Sequence, residues 1–399
     1  MDKLLENKRS SLLVFILTVG VFGIINTEMG VVGILPLIAE TFHVSVPTAG
    51  WTVSIFALVV AISGPTMPLL FSGINRKRIM LLALGVFVLS NIISMLTTNF
   101  TVILIARIIP AFLHPVYVSM AFTVAASSVP KEQAPKAVSK IFIGVSAGMV
   151  LGVPVTSLIA SETSFPVAML FFAIVNALAF IATIFLVPSI PVKEKLSYGE
   201  QLRVLKKPIV WNSILAVTFI NGAMFGFFSF MSDYLKNITK LDFKIISIML
   251  FIYGGANIIG NIIAGKLLAQ SPSKTIIAIP FVMIAVYIAL SAFGGFTMPM
   301  GAVILVLGVL AGIASNNCQY MISHAAPEAP DFANGLFLTS ANLGTAVGTA
   351  FSGMFISQFD THYAVAGTLI FLVLGIVFVF LRQHDVKKQP IVFSGTIIK

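Results

Sequence analysis

From Ser11 to Arg382 the chain returns again and again to apolar runs long enough to cross a lipid bilayer, parted by short polar breaks. A membrane-spanning helix needs about 20 apolar residues. The first six runs lie at 11–36, 47–71, 78–97, 100–128, 137–160 and 164–188; six more lie at 209–234, 244–270, 274–296, 299–326, 332–358 and 363–382. Composition removes the soluble alternative: hydrophobic residues make up 58% of the 399 positions and charged ones 10%, against about 25% charged in a globular protein. Lipid offers backbone groups no hydrogen-bond partner, so these runs are expected as helices of an all-α integral membrane protein.

Between the two sets lies the longest polar stretch, Ser189 to Pro208, read as an amphipathic linker (189–208) joining an N-terminal six-helix bundle (1–188) to a C-terminal one (209–385), with a tail at 386–399. Of the 24 Lys and Arg, twenty fall on the side that holds both termini and the linker. Lys236, Lys240 and Lys244 fall on the other side, and Arg107 lies within a span. Positive residues mark the cytoplasmic side, so both termini and the linker are expected there. The net charge of +10 is spread over these loops, whereas a nucleic-acid surface would gather it on one face. Cys318 stands alone and cannot form an intramolecular disulfide, and no Cys/His cluster has metal-ligand spacing. The charged start, Met1 to Arg9, leads into an apolar run without a small-residue cleavage site, which reads as a retained first span.

Gly64 and Gly260, Gly148 and Gly344, and Gly152 and Gly348 share one offset of 196 residues, as a parallel duplication would leave. Such a plan places a substrate site between the halves, near the bilayer midplane.

Ionisable side chains inside a span cost about 2.5–3.5 kcal/mol and mark function or pairing. Glu28 lies two-thirds of the way along span 1. A carboxyl group partly withdrawn from water titrates nearer neutrality, which suits it to take and release a proton; the other reading is a static anchor bonded to a neighbouring helix. Arg107 either lines the cavity beside a carboxylate or snorkels to the outer interface. His114, seven residues on and on nearly the same face, could share in proton transfer; Pro115 after it frees a carbonyl and bends the helix. Asp233, near the outer end of span 7, is a second coupling candidate or a rim residue paired with Lys236. Candidate substrate contacts are Asn26, Thr27, Tyr117, Asn221, Phe225, Phe228, Tyr253, Asn257, Asn316, Gln319 and Asn342. An aromatic cavity with a few amides suits small amphipathic ligands, although any one amide can equally hold two helices together.

Four segments carry a resemblance. They are NTEMGVVGILPLIAETFHVS with the following AGW, HAAPEAPDFANG, SANLGTAVG, and the span 5 run Gly148-Met-Val-Leu-Gly152-Val153-Pro154. On these the chain resembles a major facilitator superfamily transporter of the twelve-helix drug:proton antiporter group, in the branch of sugar-efflux, purine-efflux and chloramphenicol-resistance proteins. The family's motif after span 2, Gly-x-Leu-Ala-Asp-Arg-x-Gly-Arg-Arg, falls on Pro68 to Lys77, with Ser72 in place of the Asp, Asn75 in place of a Gly, and Arg76 and Lys77 at the positive end. The resemblance implies an inner gate at Arg76 and Lys77, an antiporter motif at Gly148, Gly152 and Pro154, and Arg107 as the family arginine.

The expectation is a monomeric, proton-coupled exporter of small organic molecules in the bacterial cytoplasmic membrane. Its two pseudo-symmetric halves would work by alternating access, with protons as the coupling ion, no other cofactor, and no nucleic-acid partner. A proton-coupled uptake symporter and an uncoupled facilitator remain open. A membrane enzyme would need a catalytic constellation or a soluble domain, and a 20-residue linker is too short for one.

Overall fold

The computed structural model describes residues 2–44, 46–192 and 197–388. The N-terminal half contains α1 (Asp2–Gly30), α2 (Trp51–Ser63, continued by Met67–Phe71), α3 (Arg76–Leu96), α4 (Phe100–Ser127), α5 (Ala134–Glu162) and α6 (Phe165–Leu186). The C-terminal half contains α7 (Pro208–Phe228), α8 (Phe243–Gln270), α9 (Pro272–Phe293), α10 (Thr297–Ala325), α11 (Pro330–Gln358) and α12 (Ala364–Lys388). No strand occurs among the described residues, and ten of their helices are long and apolar enough to cross a membrane. The other two spans are α2 and α11; α2 is broken, and α11 mixes its apolar residues with Gly, Ser, Thr and Asn.

Three spans depart from the expected continuous helices; the run at 209–234 stops at Phe228 and restarts in a short helix, Met231–Asn237. The run at 11–36 begins earlier, at Asp2, and tightens into a 3-10 turn over Val31–Ile34 before a short helix, Leu35–Thr41. Pro36, which has no N–H to donate, fits at the start of that new helix. Span 2 stops at Ser63 and restarts at Met67, because Pro65 and Pro68 each remove a backbone donor. The Thr66 hydroxyl fills part of the gap by donating to the carbonyls of Ile62 and Ser63, each at 3.3 Å. In α4, by contrast, the helix runs on through Pro110 and Pro115 without ending. The Ala111 carbonyl, which Pro115 leaves without a donor, receives the Ser63 hydroxyl at 3.4 Å.

The duplication is visible in the helix ends. Shifted by 196 residues, Ala134–Glu162 coincides with Pro330–Gln358. The glycines repeat it in their contacts. A Cβ on Gly148 would crowd Ile25 and the Phe22 carbonyl, while one on Gly344 would crowd the Thr218 carbonyl, and Phe22 and Thr218 are themselves 196 apart. The third pairing does not hold: Gly64 meets Thr339 and Gly335 on α11, whereas Gly260 meets Val309 on α10. Pro65 breaks α2, whereas α8 runs through the matching region unbroken, so the two glycines face different neighbours.

On the linker side the halves meet through polar contacts. Arg76 pairs with Asp331 at 3.2 Å, and the Ser119 hydroxyl donates to the Asp331 carbonyl at 2.6 Å. Asn334 donates to Thr123 Oγ1 at 3.2 Å, and Phe337 packs on Phe122 and Phe142. Lys207, at the end of the linker, pairs with Glu328. Within the linker, Ser197 and Glu200 form a capping box, and the Ser197 N–H bonded to the Glu200 carboxylate holds that acid below its usual range.

Candidate functional site

Inside the N-terminal half, three helices converge on one turn of α1. Thr27, buried, donates its hydroxyl to the Gly23 carbonyl at 3.0 Å. The same oxygen lies 2.8 Å from the amide nitrogen of Asn176 on α6 and 3.5 Å from that of Asn91 on α3. From α4, Arg107 donates to the carbonyls of Thr52, Thr27 and Glu28, the last two at 3.2 Å each. Its guanidinium also stands 4.9 Å from the centre of the Phe56 ring. Arg107 is thus buried inside the bundle against the backbone of Glu28 and does not extend to its surface. Thr27, Thr52, Asn91, Ser94 and Arg107 line a small cavity whose other walls include Val31, Ile38 and Phe165.

The Glu28 side chain, 12% exposed, turns to His114, 5% exposed, whose Nε2 lies 3.1 Å from Glu28 Oε2. Glu28 therefore has a base in reach; the pairing is not readable from sequence because spacing along the chain says nothing about contacts between helices. His114 packs edge-on against Phe56 at 5.9 Å. Arg107 and His114, one above the other on α4, hold the backbone and the carboxylate of the same residue.

Other candidates fall into separate groups. Phe225 packs edge-on against Phe228 at 6.1 Å, and Phe228 stacks on Tyr253 at 5.0 Å, forming an aromatic face in the C-terminal half. Asn257 accepts from Ser146 of α5 at 2.6 Å. Asn261 donates to the same hydroxyl at 2.7 Å, and Asn316 donates to Asn261 at 2.8 Å, so an amide ladder crosses between the halves. Gln319 donates to Asn334 at 2.7 Å and lies near the linker side, lining a separate cavity with His324 and Tyr320. Asn221 and Asn342 donate to carbonyls one turn back on their own helices.

Three further candidates stand apart from these groups. Tyr117 is fully buried inside the N-terminal bundle with its hydroxyl against Gly20. Asn26 is buried against Gly152, which leaves room for its amide, and neither amide atom has a hydrogen-bond partner. Asp233, read from sequence as near the outer end of span 7, sits on a short helix, Met231–Asn237, accepting from Asn237 and Thr361 at 2.7 Å each.

At the motif after span 2, Ser72 donates to the Leu69 carbonyl at 2.8 Å and accepts from Gln201 of the linker at 2.7 Å. Arg76 finds its acid on the other half, at Asp331. Lys77 donates to the Ile184 carbonyl near the end of α6 at 2.7 Å. Gly152 and Gly148 pack against α1, and α5 continues through Pro154. Asn91, Asn176, Asn261 and Asp331 were not singled out from sequence; the signal was there for Asn176, a lone amide in an otherwise apolar span.

Comparison with known proteins agrees along the whole chain. The YtbD transporter of Bacillus subtilis, described as an uncharacterized MFS-type transporter, is 32% identical over 362 residues, which is 87% of this chain and 89% of that protein. The inner membrane transport protein YdhP of Escherichia coli K12 is 26% identical over 94% of this chain and 96% of its own length. A probable sugar efflux transporter of Helicobacter pylori is 26% identical over 90% and 93%. Among solved structures, the human organic anion transporter MFSD10 superposes with a TM-score of 0.78 at 14% identity, covering 94% of this chain and 99% of that one. The fucose:proton symporter FucP of E. coli gives 0.75 at 15%, covering 92% and 97%. The sequence pattern of the Major Facilitator Superfamily matches residues 16–331 and 303–395. With its twelve-helix fold and its relatives, the chain is a membrane transporter, not an enzyme, and belongs to the Major Facilitator Superfamily.

Proposed function

We propose that this transporter exports small organic molecules from the bacterial cytoplasm in exchange for protons. One observation carries the coupling: Glu28 and His114, an acid and a base, lie 3.1 Å apart within two membrane spans, close enough to share one proton. An intramembrane ionisable pair is costly to insert, and such pairs mark proton relays. The outward direction draws support from the sugar-efflux relative and from the glycine pattern Gly148/Gly152 on α5. The inner-membrane relative and the excess of Lys and Arg on the linker side support a cytoplasmic-membrane location with both termini inside.

In this reading the transporter works as a monomer by alternating access. Glu28 is ionised when cargo binds from the cytoplasm; once the site faces outward, a proton arriving at the Glu28–His114 pair weakens the hold on cargo. The aromatic face of Phe225, Phe228 and Tyr253 supplies apolar contact, and a single acid favours neutral or cationic compounds over anions.

The test is transport by inside-out vesicles from an overexpressing strain under an imposed pH gradient, with a panel of neutral sugars, nucleosides and cationic drugs. Glu28→Gln is expected to insert and fold as wild type yet lose gradient-driven export to background. Unimpaired export by that variant removes Glu28 from the coupling role. Substrate moving in the same direction as protons identifies a symporter, and export indifferent to collapse of the gradient identifies a facilitator.

A further inference from the structure

We propose that Asn176 and Asn91 are positioning residues for the proton-coupling pair, holding the turn of α1 that presents Glu28 to His114. The proposal rests on the coupling role given above to Glu28.

Asn176 is fully buried on α6, and its amide nitrogen lies within hydrogen-bond distance of the Thr27 hydroxyl at 2.8 Å, the Phe172 carbonyl at 2.9 Å and the Gly23 carbonyl at 3.3 Å. Asn91, on α3, is directed at the same Thr27 oxygen. Arg107 grips the carbonyls of Thr27 and Glu28 from the third side. The backbone between Gly23 and Glu28 is thus fixed by side chains from α3, α4 and α6, and Glu28 extends from the end of that fixed turn. Because His114 belongs to α4, the separation of acid and base depends on where α1 stands relative to α4, which these bonds set.

Polar side chains between spans often serve only to join helices, and the duplicated half provides an internal control for that explanation. Shifted by 196 residues, the offset that superimposes Ala134–Glu162 on Pro330–Gln358, Glu28 falls on Met224, His114 on Leu310 and Arg107 on Val303. Thr27 falls on Ala223, Asn91 on Tyr287 and Asn176 on Leu372. The C-terminal half builds the same six-helix arrangement with apolar or aromatic residues at all these positions, so the fold does not require the amides. They occur only where there is an acid to position.

The ionisable groups facing Glu28 are few. His114 and Arg107 come from α4, whose third titratable group, Tyr117, lies against Gly20, about two turns back on α1. α2, α6 and α7 contain none, and those of α3 and α5 (Arg76, Lys77, Arg78, Lys136, Lys140 and Glu162) lie toward the helix ends. In the opposing half, the aromatic face of Phe225 and Phe228 contains one titratable group, Tyr253 of α8. A change at Asn176 or Asn91 therefore reaches the titration of Glu28 through geometry, not through an added or removed charge.

The experiment is infrared titration of the purified full-length protein, in which the difference between wild type and Glu28→Gln isolates the Glu28 carboxyl band. In Asn176→Leu, which installs the residue of the matching position, the midpoint of that band is expected to move by about one pH unit, a tenfold change in proton affinity. Asn91→Leu should move it in the same direction by less, and Asn176→Ser, which keeps a donor, should restore most of the wild-type value. Should Asn176→Leu fail to insert, Thr27→Val reads the same contact by removing the hydroxyl that both amides address. Midpoints unchanged in these variants would overturn the positioning role. Failure of the parent reading looks different: Glu28→Gln then exports normally, whatever the amides do.

Discussion

The two halves of this transporter share a chain path but differ in what they bury. The N-terminal core holds Glu28, His114, Arg107, Thr27, Asn91 and Asn176 in one connected cluster. The matching C-terminal positions are Met224, Leu310, Val303, Ala223, Tyr287 and Leu372. The halves agree where helix must approach helix, with Gly148 and Gly152 on α1 and Gly344 and Gly348 on α7. Backbone packing was retained in both copies, whereas the paired acid and base, Glu28 and His114, reside in one; the C-terminal half buries Arg382, bonded to Ser213 and Met321, and Asp331, paired with Arg76. In the proposed mechanism coupling belongs to a single bundle, and the other contributes surface and leverage.

That asymmetry can be attacked directly. The largest effect is expected from Met224→Glu, which copies the acid into the half lacking its partners. An unpaired carboxylate there costs about 2.5–3.5 kcal/mol, so membrane yield and melting temperature should fall sharply; normal yield would mean that the C-terminal core tolerates charge as well as its twin. Next comes a ranking within the shared packing. A Cβ on Gly348 would overlap the Gly222 backbone, while one on Gly148 meets the Ile25 side chain first. Overpacking costs about 1–3 kcal/mol, and Gly348→Ala should lower the melting temperature more than Gly148→Ala, because a side chain can yield where backbone cannot. The smallest effect is expected from Asp233→Asn. Its carboxylate is occupied by Asn237 and Thr361 outside the core, so gradient-driven export should stay within about twofold of wild type, since exposed polar contacts contribute little. Abolished export would give the C-terminal half a coupling acid after all.

Much of the architecture was legible in the sequence because bilayer thickness sets helix length, and apolar runs of that length are hard to mistake. The 196-residue offset was likewise readable from Gly148/Gly344 and Gly152/Gly348, since close helix approach leaves a residue-level trace. The broken α2 could have been foreseen from Pro65 and Pro68 in one run. The site was legible only in part. Glu28, Arg107 and His114 stood out because charge in an apolar span is conspicuous. Their mutual arrangement was not readable, since contacts between α1 and α4 depend on helix rotation and tilt. Asn91 and Asn176 stayed hidden for a similar reason: a single amide in a span has the same appearance whether it joins two helices or fixes a functional turn. Asp331 was overlooked because it sits at a helix start, where acids are ordinary.

The Arg76–Asp331 bridge has a bearing on how the linker side opens. Both groups are largely shielded where the halves touch, at 16% and 5% exposure, and attraction between charges weakens about fourfold as the effective dielectric rises from 20 to the 80 of bulk water. The first solvent molecules to wedge between the halves therefore loosen the clasp that kept them out, and each one admitted eases entry of the next. Separation at this face should proceed abruptly, as a snap with few halfway postures, and added salt should hasten it.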